Sequence, residues 1–103
     1  MTYTIEYSPD AIRDLDRVWD DVFEASKSIE TSTQYVNDLL DEVAARKEFP
    51  ESASRLFYED MFTGYYYIVF KSYIAFYFIE NDHIRVTRVL FGRSDYMREL
   101  IRL

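Results

Sequence analysis

The feature that most constrains the fold is a cluster of aromatic side chains, because 11 of the 19 Trp, Tyr and Phe residues lie between positions 57 and 78. Aromatic and β-branched residues form three runs there and just beyond, at 65–70, 73–79 and 84–91, as is typical of β-strands. Only two and then four residues separate these runs, so the connections are turns. Turns this short predict an antiparallel meander.

The first half of the chain predicts a hairpin of two amphipathic helices. Segment 8–10 (Ser-Pro-Asp) combines a capping side chain, a proline suited to the first turn and an acid suited to the positive end of the helix dipole. After a polar break at 27–33, Thr31 or Ser32 can cap a second helix, which ends at Phe49 before a proline. The predicted apolar stripes are Ile12, Leu15, Trp19, Val22 and Ser26 in the first helix, and Tyr35 or Val36, Leu39, Leu40, Val43 and Ala44 in the second.

A strand and a short helix complete the predicted fold. Residues 2–7 alternate between polar and apolar, which indicates a strand, and a break in alternation at Arg88 and Val89 predicts a β-bulge. After Gly92, segment 95–103 predicts a terminal helix. The order β-α-α-β-β-β-α is an α+β fold in which a helix hairpin covers one face of an antiparallel sheet, in a single domain spanning residues 1–103. The side chains of the terminal helix expected to face inward are Met97, Leu100 and Ile101.

Composition excludes several classes of function. The chain has 19 acidic and 12 basic side chains and a net charge of −7, which argues against direct DNA binding by the chain alone through a broad basic surface. With no Cys and one His, neither a metal site nor a cofactor is expected. Stretch 62–79 is rich in Tyr and interrupted by Lys71, so it predicts strands rather than a membrane span. No secretory signal is visible, and a cytoplasmic location is expected.

Four segments have distinctive sequences: 3–11 (YTIEYSPDA), 48–52 (EFPES), 64–69 (GYYYIV) and 84–96 (IRVTRVLFGRSDY). In this order they resemble the RelE/ParE superfamily of bacterial type II toxin–antitoxin toxins, over essentially the whole chain. The resemblance implies a toxin of the plasmid-stabilisation kind, held inactive by a cognate antitoxin. It also implies one of two targets, because ParE-like members bind and poison DNA gyrase whereas RelE-like members cut messenger RNA on the ribosome.

For a nuclease, the resemblance implies cations that stabilise the phosphate in the transition state and a side chain that moves protons. Arg93 and Tyr96 match these types and are the candidate catalytic residues. Two departures leave the nuclease pattern incomplete. Tyr66 stands where the central strand of such members usually has an arginine, and Phe91 stands where a histidine is usual.

The C-terminal arginines are the candidate target-binding residues, because they make the tail locally basic in an acidic chain. Each candidate also has a structural alternative: Arg88 can form a salt bridge, Arg93 can cap or pair with the terminal helix, and Tyr96 can pack on the sheet. The tyrosines at 65–67 likewise fit either a base-stacking platform or ordinary packing on two faces of a strand. The target-binding candidates are Arg88, Arg93, Arg98 and Arg102.

Three functions are consistent with these features. A ParE-like toxin that inhibits DNA gyrase accommodates the net charge of −7 and the missing arginine. A RelE-like endoribonuclease acting on the ribosome and its mRNA would use Arg93 and Tyr96, with the tail meeting the ribosomal polyanion. A degenerate toxin would only bind its antitoxin. We predict the first of these, a binding protein rather than an enzyme.

Overall fold

The computed structural model describes residues 2–101 of the chain. Within that range the chain forms three α-helices, one 3₁₀ turn and a five-stranded sheet. In chain order the elements are β1 (Thr4–Tyr7), α1 (Pro9–Ser26), α2 (Ile29–Ala44), the 3₁₀ turn (Pro50–Ser52), β2 (Ser54–Tyr58), β3 (Met61–Phe70), β4 (Tyr73–Glu80), β5 (His83–Phe91) and α3 (Tyr96–Ile101).

The sheet has the strand order β1-β5-β4-β3-β2. Strands β2 to β5 form an antiparallel meander, which confirms the prediction for the second half of the chain. Two features differ from the sequence prediction: β2 is an additional strand, and β1 runs parallel to β5, so the sheet is mixed. The register pairs Thr4 with His83, and no local sequence signal sets the direction of a strand that pairs so far along the chain.

Just past the end of β1, the start of helix α1 forms hydrogen bonds with the same edge of β5. The hydroxyl of Ser8 accepts a hydrogen bond from the Ala11 N–H at 3.0 Å, which caps α1, and donates one to the Thr87 carbonyl at 2.8 Å. The Ser8 N–H donates to the Val86 carbonyl at 2.9 Å. The bulge lies here, at Thr87, one residue before the predicted position. The edge of β5 is therefore covered by the helix start rather than left open.

The buried side of α1 is rotated relative to the predicted stripe. Ala11 and Val18 are buried, whereas Ile12 is 51% exposed, so the prediction for Ile12 is wrong. A small residue at position 11 lets the helix approach the sheet closely, and a hydrophobicity pattern gives little weight to alanine. Trp19 is half-buried between the helices rather than on the sheet: its Nε1 donates to the Thr33 hydroxyl at 3.2 Å, and its ring stacks on Phe23.

Helix α2 begins earlier than predicted. Ser28 is its N-cap and accepts from the Thr31 N–H at 3.1 Å, so neither Thr31 nor Ser32 caps the helix. Lys27 ends α1 in the left-handed conformation with φ of 57°, which is why the connection needs so few residues. Leu39 and Val43 are buried as predicted, and they pack with α1 over one face of the sheet.

The two faces of the sheet are covered by different elements. On the helix-hairpin side, β4 and β5 contribute Tyr77, Ile84 and Val86 to the main core. On the second face, Phe76 and Leu90 lie beneath α3. The predicted inward positions of Met97 and Leu100 are confirmed, whereas the Ile101 side chain lies outside the described part of the structure. In residues 2–101, no helix is both long enough and apolar enough to traverse a lipid bilayer.

Candidate functional site

The tail that carries the candidate residues turns from the end of β5 onto the second face of the sheet. The Gly92 N–H donates to the Ser72 carbonyl at 2.8 Å, and a Cβ at this position would come within 3.3 Å of that oxygen. The Ser94 hydroxyl then donates to the Phe91 carbonyl at 2.6 Å and closes the turn before α3. A glycine and a serine thus set the direction in which Arg93 and α3 leave the sheet.

Arg88 forms an ion pair with α1. Its Nε and Nη2 atoms donate to the two carboxylate oxygens of Asp14 at 2.7 and 3.0 Å, which is a bidentate pair. Its Nη1 lies 3.4 Å from Oε2 of Glu99 in α3. The hydrogen bond to Asp14 raises the pKa of the Arg88 guanidinium above its ordinary value, so this group stays charged. The salt-bridge alternative for Arg88 is the arrangement observed, and its charge is largely neutralised by these carboxylates.

Asp14 is a buried charge with a complete set of partners. Its side chain is only 2% exposed, although most of the other acidic residues of α1 are exposed. Besides Arg88, it accepts a hydrogen bond from the Val89 N–H at 2.9 Å, and Nη1 of Arg17 lies 3.6 Å away. Asp14 therefore forms an ion pair with Arg88. It also accepts the N–H of Val89, which lies on the part of the β5 edge that β1 does not cover.

Tyr96 packs on the sheet. Its ring centroid lies 5.4 Å from that of Phe76, which is completely buried. Met97 and Leu100 of the same helix join this apolar cluster. The surroundings of Tyr96 are thus aromatic and aliphatic, and this ring is the first anchor of α3 on the second face of the sheet.

The other candidate arginines are on the surface. Arg93 is exposed in the turn before α3, and Arg98 is exposed with its Nε 3.5 Å from Asp95. Arg102 lies outside the described residues. The structure thus places Arg93 and Tyr96 three residues apart in the chain but in different surroundings, one in solvent and one on the sheet. The guanidinium of Arg88, by contrast, is paired with Asp14.

A cleft of about 250 Å³ lies beside this ion pair, between α1 and the end of β5. Asp21 accepts a hydrogen bond from the Tyr73 hydroxyl at 2.9 Å at this cleft, and burial, followed by that hydrogen bond, raises the pKa of Tyr73. Sequence reasoning did not identify Asp14, Asp21, Tyr73 or Glu99 as members of the site. The available signal was helical spacing, because Ala11, Asp14 and Val18 follow each other at intervals of three and four.

The tyrosines at 65–67 divide between the two faces of β3. Tyr66 stacks on Tyr77 with centroids 5.7 Å apart, on the helix-hairpin side. Tyr65 and Tyr67 pair with Phe78 and Phe76 on the second face. These contacts correspond to ordinary packing on the two faces of a strand, which was the alternative to a base-stacking platform. Within the described residues, no group of three His, Cys, Asp or Glu side chains is arranged to hold a metal ion.

Comparison with known proteins identifies the family. Residues 5–96 match the family described as the ParE toxin of the type II toxin–antitoxin system parDE. Two solved structures share the fold. The chromosomal ParDE toxin–antitoxin system of P. aeruginosa has a TM-score of 0.72 at 15% identity, over 87% of this chain and 96% of that chain. The toxin–antitoxin complex RelBE2 of Mycobacterium tuberculosis has a TM-score of 0.58 at 19% identity, over 88% of this chain and 99% of that chain.

A comparison with curated protein sequences found no match. The family match nevertheless spans β1 through the start of α3, and so includes the helix hairpin, the whole sheet and the turn that carries Arg93. The element order agrees with the resemblance that the four sequence segments carried. The chain belongs to the ParE toxin family of type II toxin–antitoxin systems.

Proposed function

We propose that this chain is a toxin that acts by binding DNA gyrase, that it cleaves no RNA, and that a cognate antitoxin neutralises it in the cytoplasm. The observation that carries the proposal is the state of the charged and phenolic groups in the tail. A phosphoryl-transfer site needs several cations aimed at one phosphate and a proton-transfer group beside them. Here Arg88 is paired with Asp14, and Tyr96 packs on Phe76.

The remaining tail charges suit a binding role. Arg93 and Arg98 are exposed at the end of the molecule that α3 forms, while the helix hairpin carries most of the acidic side chains. Charges on an interface rim mainly steer association and select the partner. The tail therefore supports recognition of acidic groups on a protein, whose charge density is far below that of the ribosomal phosphates that would repel a chain of net charge −7.

The antitoxin part of the proposal has two supports. Both similar solved structures are described as toxin–antitoxin assemblies, one a ParDE system and the other a RelBE2 complex. In addition, several large apolar side chains are exposed on the described surface, where a bound partner could cover them. The most exposed of them include Phe49, Met61, Ile29 and Val69.

Two assays with the purified chain test the proposal side by side. In the first, the supercoiling of relaxed plasmid by gyrase is measured at increasing toxin concentrations. The expected result is inhibition of supercoiling with accumulation of cleaved DNA. In the second, ribosomes translate a defined message, and the expected result is intact mRNA and unchanged peptide yield. Cleaved mRNA with undisturbed supercoiling would contradict the proposal and favour the endoribonuclease. Activity in neither assay would contradict gyrase binding and favour a degenerate toxin that only binds its antitoxin.

A further inference from the structure

The edge of the sheet formed by β2 is poorly protected. β2 is the last strand in the sheet order and pairs with β3 on one side only. Natural proteins block such edges with Pro, Lys or a covering element, because unpaired N–H and C=O groups template pairing with another chain. β2 contains neither Pro nor Lys, and its burial pattern leaves Leu56 as its single buried residue. This edge is available for a further strand.

Large apolar side chains are exposed along this edge and its turn. Phe57 is 53% exposed, and at the turn to β3 the exposed fractions are 37% for Tyr58, 73% for Met61 and 40% for Phe62. Tyr58, Met61 and Phe62 also line a groove of about 490 Å³ that reaches Leu100 of α3. Exposure of this extent over six consecutive positions is typical of an interface.

The backbone of β2 presents its hydrogen-bonding groups to the free side at two defined residues. The Leu56 carbonyl accepts a hydrogen bond from the Thr63 hydroxyl at 2.8 Å, so it points towards β3. The register with β3 shifts between Arg55 and Phe57, but the extra residues lie in β3, so β2 keeps its alternation and Arg55 and Phe57 direct their N–H and C=O groups outwards. Two residues of an added antiparallel strand can bond to these groups.

The sequence of β2 is complementary to itself. With a two-fold axis at Leu56, an antiparallel second copy places Arg55 opposite Phe57 on each side of the axis, and Leu56 opposite Leu56. The Arg55 guanidinium already lies 5.9 Å from the Phe57 ring centroid within one chain, so the same cation–π contact is available across the axis. Arg55 is the only charged residue in β2, and this register opposes no like charges.

We propose that β2 is a self-association surface, on which two copies of this chain pair β2 with β2 about Leu56 to form one continuous sheet. The second copy fits better than an unrelated strand because Arg55 and Phe57 supply both halves of each cross-strand pair. Each copy has a net charge of −7, so the copies repel at long range. Salt screens this repulsion, and the dimer therefore strengthens as ionic strength rises.

Analytical ultracentrifugation of the purified full chain tests the proposal at low and high salt. The expected result is a monomer–dimer equilibrium that shifts towards dimer in high salt. Phe57→Lys places a cation opposite Arg55 of the second copy and should weaken dimerisation by about tenfold or more. Adding Arg55→Glu to Phe57→Lys places opposite charges across the axis and should restore the dimer. Val69→Lys is the matched control, since it adds the same charge at an exposed apolar position of β3 far from the Arg55 and Phe57 pairs.

Hydrogen exchange of the backbone amides gives a second readout. The Arg55 and Phe57 amides should be protected in the dimer and exchange rapidly in Phe57→Lys. A parent chain that stays monomeric at all salt concentrations would overturn the proposal. So would equal weakening by Val69→Lys, failure of the double substitution to restore the dimer, or protection of these two amides only when an antitoxin strand is bound.

Discussion

Asp14 is the residue whose role in this fold is least visible from its neighbours in sequence. It is one of several acids on α1, yet it is buried, pairs with Arg88 and accepts the Val89 N–H. Taking a carboxylate out of water is costly, and such a group persists only where its hydrogen bonds and its charge are satisfied. This arrangement joins α1 to β5 and, through Glu99, to α3.

Asp14→Ala should therefore destabilise the protein by about 3–5 kcal/mol, because it leaves Arg88 in a half-buried position without its bidentate partner. Urea unfolding followed by circular dichroism measures this change in the free energy of unfolding. Asp16→Ala, an exposed acid on the same helix, is the control and should stay within about 0.5 kcal/mol of the parent. Equal stability of the two variants would show that the buried pair contributes nothing specific.

Tyr77 makes the stability depend on pH in the alkaline range. Its hydroxyl donates to the Pro50 carbonyl, and burial raises its pKa from 10.0 to about 12. Below pH 10 the phenol is protonated in both the folded and the unfolded chain, so it has no effect on the pH dependence of stability. Between pH 10 and 12 the unfolded chain loses this proton first, so stability falls, by about 2–3 kcal/mol in total.

Tyr77→Phe removes this titration, and its free energy of unfolding should fall less steeply than that of the parent above pH 10. Urea midpoints measured at half-unit intervals of pH give the two slopes. The variant also loses the hydrogen bond to Pro50 and should be less stable at neutral pH. Parallel curves for parent and variant would contradict the assignment, since the alkaline slope would then come from other groups.

At the scale of elements, the orientation of α1 is the sharpest difference between sequence and structure. Val18→Ala should cost about 2 kcal/mol, because Val18 is 1% exposed and its truncation leaves a cavity against the sheet. Ile12→Ala should change stability by less than about 0.5 kcal/mol, because half of that side chain is exposed. Thermal melting of the two variants checks this order. The reverse order would restore the predicted stripe through Ile12.

Elements that depend on local signals could be predicted from sequence, and those that depend on distant pairing could not. The cap at Ser8 and the turns between β3, β4 and β5 are local, and their positions were predicted. β2 could not be recognised, because only Leu56 among its residues is buried and no alternation results. The direction of β1 depends on β5, with which it pairs only after most of the chain has been placed.

The same distinction applies to the site. Arg93 and Tyr96 could be named as candidates because the sequence of their segment resembles that of the family. The surroundings that decide the roles of Tyr96 and Arg88 could not, because Phe76 packs on Tyr96 and Asp14 pairs with Arg88 from other elements. Arg88 and Asp14 are 74 positions apart, and a single sequence gives no sign that they meet. From sequence alone, an acid such as Asp14 among other acids is expected to be exposed to solvent, because its partner is not known.

At the scale of the whole molecule, the acidic hairpin and the basic tail lie on different surfaces of the sheet. The hairpin covers one face, and α3 covers the other. In the proposed function, the tail meets the target from the side of α3 and leaves the outer surface of the hairpin uncovered. Residues 52–103 carry a net charge of +1, against −8 for residues 1–51, so the tail is where an acidic protein target would be met.

Arg93→Ala should abolish growth arrest when the toxin is induced, because it removes the exposed cation nearest to the end of β5. Antitoxin binding should stay within about tenfold, or about 1.4 kcal/mol, if the antitoxin contacts other surfaces. Arg13→Ala, which removes an exposed arginine from α1, is the matched control and should leave the toxin active. Growth arrest and antitoxin affinity are measured for the same three proteins. A fully toxic Arg93→Ala would place the target site elsewhere.

Tyr96→Phe separates the proposed gyrase binding from the alternative, cleavage of mRNA. The ring that packs on Phe76 is retained, so α3 should stay in place and a gyrase binder should remain toxic. An endoribonuclease that uses the phenol for proton transfer should instead lose about 10²–10⁴-fold in cleavage rate. Growth arrest of cells that produce this variant decides between them, with equal expression checked on the purified complex. Because the substitution removes one oxygen atom and no packing, a loss of toxicity would point to chemistry at Tyr96 and against a role limited to binding.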